Sequence, residues 1–211
     1  MRLAESSSNR VIPSTNVRSY FQESVTAAMA NQRIDAAEET VGYVVELLTA
    51  YTRAEELFEQ TPDGPALRPL ANFYADAVEA PTLEHRQRAL KRLGDVALFI
   101  SGVFSDSLNR RLVDVDYYVA MGGSAYSCLS GSVPSSPRGR VFGSIYRELA
   151  SKFQGFVDVL GEISEGVRPG SETDVLRLYE VWLRTGSQRA ANRLKRLGIH
   201  PVEGCVSRAS H

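Results

Sequence analysis

Small residues set at helical spacing inside the most apolar part of the chain constrain its fold more than any other feature. Within residues 82–129, Gly94, Leu98 and Gly102 fall four apart with Ser101 and Ser105 nearby, and Gly122, Gly123, Ser124 and Ala125 form a second small patch. A glycine inside a helix costs about 0.5–1 kcal/mol relative to alanine. Several of them need an offsetting gain, and close contact with a neighbouring helix supplies one. The stretch therefore predicts a central, tightly packed pair of helices. It does not carry a reaction signature.

The helical period recurs along the chain. Val17, Phe21, Val25, Ala28 and Met29 make one apolar stripe. Asp35 and Glu38 read as a capping box opening a second helix. Its stripe runs Ala37, Val41, Val44, Leu48, Tyr51 and Phe58, and Tyr43, Val45 and Leu47 give it another apolar face. Residues 61–65 (TPDGP) signal a turn. A short helix follows on Leu67, Leu70, Tyr74, Ala77 and Val78, with Pro69 in its first turn. Thr82 caps a long central helix whose inner face carries Leu83, Leu90, Leu93, Ala97, Ile100, Val103 and Phe104.

Val113 to Tyr117 alternates like a strand but has no partner strand to satisfy its backbone, so a helix is expected from about Val113 to Leu129. After a loop at residues 130–137, Ser136 caps a helix with Pro137 at its first position. Its stripe runs from Phe142 to Ile163. Ser171 and Asp174 cap a further helix, and QRAANRLKRLG forms the last, ending on Gly198. The expected fold is all-α: an irregular bundle of about seven or eight helices with no sheet. The expected organisation is a flexible leader (1–14), a bundle core (15–166), a C-terminal two-helix unit packed on or appended to it (171–199) and a flexible tail (201–211).

A chain of 211 residues can bury a substantial core without disulfides or metals. Its formal net charge of −1 gives no global field toward nucleic acid or anionic membrane. Cys128 and Cys205 form no disulfide framework or CxxC pair. The opening MRLAESSSNRVIPS lacks the apolar core of a secretory signal, and the most apolar run, Val96 to Phe104, is too short to span a bilayer. A cytoplasmic protein with no membrane span is expected.

Two constellations stand out as candidate sites. Arg110, Arg111, Asp114 and Asp116 surround Tyr117 and Tyr118 at a helix junction that extends to Tyr126. The bland reading is a ladder of exposed ion pairs, with Asp95 pairing Arg92. The sharper one is a pocket for a small polar or anionic ligand. The second constellation is the last helix, where Arg189, Arg193, Lys195 and Arg196 are uninterrupted by acids, with Tyr179 and Trp182 before it. It reads as a solvated basic face or as a docking face for an acidic protein, since aromatics and arginine are favoured anchors. SQRAANRLKRLGI resembles the last helix of small helix-turn-helix DNA readers, but over one short helix only, and Trp182 and Leu183 stand where small residues would help.

No catalytic residue emerges. The three histidines form no HExxH or ExxH motif, and the chain has no DDxxD, GxSxG or GxxxxGK[ST] run. No metal or cofactor is expected. The order of readings is an interaction or regulatory protein that binds a protein partner, then a helical small-ligand sensor or enzyme using the junction pocket, then a nucleic-acid binder through the last helix. Self-association stays open.

Overall fold

A computed structural model describes residues 14–51, 58–61, 64–104, 115–167, 179, 182, 185–196 and 199. Among them the expected helical bundle is present: α1 (Ser14–Gln32), α2 (Glu38–Tyr51), α3 (Leu70–Val78), α4 (Leu83–Val103), α5 (Val115–Ser132), α6 (Pro137–Ser151), α7 (Phe153–Val167) and α8 (Gln188–Arg196). One addition departs from the sheet-free expectation. Phe58–Thr61 (β1) and Gly64–Leu67 (β2) pair antiparallel, with Phe58 opposite Leu67 and Thr61 opposite Gly64. The turn signal falls between these two paired strands, and Pro65 is tolerated because a two-stranded ribbon has only edges.

Helix α4 is the centre of the bundle and packs against α3, α5 and α7, while α1 packs on α2 and α7. Every residue from Leu93 to Gly102 is buried, so this half of α4 is enclosed on all sides. The glycines allow that. A Cβ at Gly94 would lie 2.7 Å from the Tyr126 ring on α5, and one at Gly102 would run into the Leu160 side chain on α7. Thr82 caps α4 by accepting from the His85 amide at 3.2 Å, and Ser136 caps α6 by accepting from the Gly139 amide at 3.1 Å, with Pro137 at the start.

Some boundaries differ from expectation, for identifiable reasons. Helix α2 begins at Glu38 and not at Asp35. The Ala37 amide is satisfied from outside by the Glu148 carboxylate at 3.0 Å, and the Asp35 carbonyl accepts from Lys152 Nζ at 2.6 Å. A tertiary partner therefore replaces the local capping box. The stripe from Phe142 to Ile163 is divided between α6 and α7 at Lys152. Helix α1 ends in a Schellman turn: Arg33 takes a left-handed φ of 57°, and the Ile34 amide reaches back to the Met29 carbonyl at 2.9 Å. The expected caps at Ser171 and Asp174, the end at Gly198, residues 1–13 of the leader and the tail lie outside the described residues.

Candidate functional site: the groove between α2 and α4

The least expected feature of the interior is a carboxylate. Asp95 sits on α4 between Gly94 and Val96 and is only 7% exposed. A buried carboxylate is costly unless it is paired and hydrogen-bonded, and Asp95 is both. Tyr43 on α2 and Tyr126 on α5 donate their hydroxyls to its Oδ1 at 2.6 and 2.7 Å. Lys91, one turn earlier on α4, donates to Oδ2 at 2.6 Å. The expected partner, Arg92, is directed elsewhere: its guanidinium lies 5.4 Å from the centroid of the Phe73 ring.

Aromatic rings wall in this cluster. Tyr126 stacks on Tyr146 of α6 at 5.9 Å, and Tyr43 stands edge-on to both. Lys91 Nζ also lies 5.3 Å from the centroid of the Tyr43 ring. Burial, reinforced by the Asp95 charge, drives the phenol pKa values of Tyr43 and Tyr126 far up. The same causes push Tyr146 up to about 12. Tyr43 and Tyr126 therefore stay protonated donors at any ordinary pH, and both point at Asp95. The hydrogen bonds from Tyr43, Tyr126 and Lys91 to Asp95 make the cluster a rigid floor.

Above that floor lies an open groove of about 600 Å³. Helix α2 supplies one wall, with Tyr43, Leu47, Ala50 and Tyr51 spaced to share a face and Glu46 at the edge. Helix α4 supplies the other wall, with Arg88, Lys91 and Arg92 above Asp95. One wall is mostly aromatic and apolar, with Glu46 at its edge; the other carries three cations, of which Arg88 pairs with Glu84 at 3.3 Å and Lys91 with Asp95 at 2.6 Å. The Glu46 charge is answered from outside the groove by Arg18 at 2.6 Å. Lys91 is 45% exposed and carries three N–H bonds, so it can meet Asp95 and a groove occupant together. On the far side of Arg88 and Lys91 a smaller recess of about 300 Å³ is floored by Leu129, Val133, Phe142 and Tyr146.

The residues singled out from sequence take different places. Arg110, Arg111 and Asp114 lie outside the described residues. Asp116 is half-buried in the first turn of α5. Tyr117 is 40% exposed while Tyr126 is 0% exposed. Nine residues at about 100° each bring the chain to the opposite side of a helix, so these two tyrosines do not share a cavity. Tyr126 is packed shut around Asp95, and neither recess is lined by Asp116 or Tyr117. At the C-terminus, Arg189 and Arg193 turn inward onto Glu165 of α7. Trp182 is buried against Ala190, Ala191 and Leu194, with Tyr179 and Ile199 packed on them. Of the four cations on α8, Lys195 and Arg196 are exposed.

No protein-family model, curated protein or solved structure matches the chain. Among the described residues, no helix is long and apolar enough to cross a membrane, and no three His, Cys, Asp or Glu side chains come together to hold a metal ion. The functional reading therefore rests on the geometry of the groove.

Proposed function

We propose that this chain is a helical binding protein whose ligand is a small amphipathic anion held between α2 and α4. One observation carries the reading: an aromatic wall (Tyr43, Tyr51) faces a cationic wall (Arg88, Lys91, Arg92) across a single groove. A flat apolar body fits the first wall, and a carboxylate or phosphate fits the second. The floor is held by hydrogen bonds from two other helices, so the walls are set before a ligand arrives, which limits the ordering cost of binding. A role as a sensor or carrier suits this arrangement.

The test is a thermal-shift screen with aromatic carboxylates and aryl phosphates. A ligand that binds only the folded state raises the apparent melting temperature. Hits should lose their shift in Ala50→Trp, which fills the groove without altering charge, and weaken in Arg92→Gln. A screen without hits, or hits that keep their full shift in both variants, would remove the groove as the site.

A further inference from the structure

The C-terminal helix is attached to the bundle in an unusual way. Among the described residues its apolar cluster, built on Trp182, Ala190, Ala191 and Leu194, is separate from the main core. Among the described residues, the contacts that join α8 to α7 are polar. Asp158 accepts from Ser187 Oγ at 2.7 Å and from the Arg189 amide at 3.3 Å. Glu165 accepts from both Arg189 and Arg193. These two arginines sit one helical turn apart and close on a single carboxylate, the way guanidinium pairs recognise an acidic side chain.

The docked state also carries electrostatic costs. Asp158 is 4% exposed, and burial raises its pKa against the hydrogen bonds that lower it. Arg189 Nε is buried without an acceptor. The Arg189 guanidinium lies over Gly161, where a Cβ would displace it. The Arg189–Glu165 and Arg193–Glu165 pairs are partly buried, with side-chain exposures of 14%, 23% and 34% for Arg189, Arg193 and Glu165, so each guanidinium needs an acidic partner wherever it stays out of water.

The geometry points to α8 as a self-masked docking arm for an acidic segment of a partner protein. Glu165 occupies the Arg189–Arg193 pair that the partner's carboxylates take on release. Lys195 and Arg196, already exposed, extend the cationic run, and α8 carries no acid of its own. This inference is independent of the groove between α2 and α4, and either one stands if the other fails.

The experiment measures anisotropy of a fluorescein-labelled hexaglutamate peptide at low salt, with a labelled duplex DNA in parallel. Full-length Glu165→Gln should bind the peptide at least tenfold more tightly than the unmodified chain. Adding Arg189→Gln and Arg193→Gln should erase the gain. Gly161→Ala displaces a flexible side-chain end and leaves every charge in place, so it should give a gain of the same sign with the fold intact. The chain has one tryptophan, Trp182, which packs on α8 itself, so its emission should stay unchanged in both variants and report that the arm leaves α7 with its own apolar cluster intact. Unchanged peptide binding in both variants would overturn the proposal. So would an equal or larger gain for the DNA, which would mark a general polyanion face.

Discussion

Replacing Asp95 with alanine tests the central polar cluster most directly. The substitution leaves two phenols and one ammonium without their acceptor. Tyr126 is fully buried, and an orphaned buried donor costs about 1–3 kcal/mol. Tyr43 is half-buried and adds a similar or smaller amount, while the half-exposed Lys91 can return to water. The sum is about 3–4 kcal/mol, within the range of about 3–5 kcal/mol for breaking a buried pair by removing one partner. For a chain of this size that lowers the melting temperature by roughly 10 °C. Asp95→Asn should cost less, because its amide oxygen can still accept from both phenols, although its NH₂ then faces Lys91. The decisive measurement is a urea-denaturation cycle with Tyr126→Phe. In the unmodified background this change removes a hydrogen bond to a charged acceptor and costs about 1.5–3 kcal/mol. In the Asp95→Ala background it removes an orphaned hydroxyl and should be neutral or stabilising. Additive costs, with no coupling beyond about 0.5 kcal/mol, would refute the reasoning.

Two further predictions use other parts of the fold. Gly102→Leu should destabilise by about 1–3 kcal/mol through overpacking against Leu160, whereas Gly42→Ala, with nothing within 4 Å of the added Cβ, should stabilise by about 0.5–1 kcal/mol; melting curves of the two variants should move in opposite directions. Alkaline stability follows from the raised phenol pKa values of Tyr43 and Tyr126. The folded state keeps these protons, so their contribution is complete below the unfolded value near 10 and is lost as pH rises above it. At pH 11 each of these tyrosines should remove about 1.4 kcal/mol, seen as a falling denaturation midpoint.

The bundle was legible because its signals are local. The caps at Thr82 and Ser136 and the apolar stripes depend on residues a few positions apart. The glycines at 94 and 102 marked close contact correctly, since their intrinsic cost requires a neighbour. The hairpin was hidden because Phe58 falls seven residues after Tyr51 and so extends the α2 stripe on paper. The polar cluster was hidden for a different reason. Asp95 appeared as one more charge in a mixed-sign helix face, and nothing nearby in sequence tells that Tyr43 and Tyr126 close over it. Its one local clue was an acid set between Gly94 and Val96 with Lys91 a turn before. The in-chain partner of the basic C-terminal face was hidden too, because the acid answering Arg189 and Arg193 is Glu165, on a different helix.

The Asp95 cluster also decides which packing of the bundle is unique. It ties α4 to Tyr43, 52 positions earlier, and to Tyr126, 31 positions later. Leucine and valine surfaces tolerate one helix sliding along another, because an apolar ridge moved by one turn still meets an apolar groove. A slide of α4 by about 5.4 Å would keep α4 among apolar neighbours but bring Leu90 or Leu98 to the place where Gly94 meets the Tyr126 ring. It would also carry the carboxylate away from both hydroxyls and leave it buried without them. Near-native alternatives of an all-helical chain are thereby disfavoured twice: apolar burial drives collapse, while the close glycine contacts and one acid held by two tyrosines from distant parts of the sequence work against a shifted register.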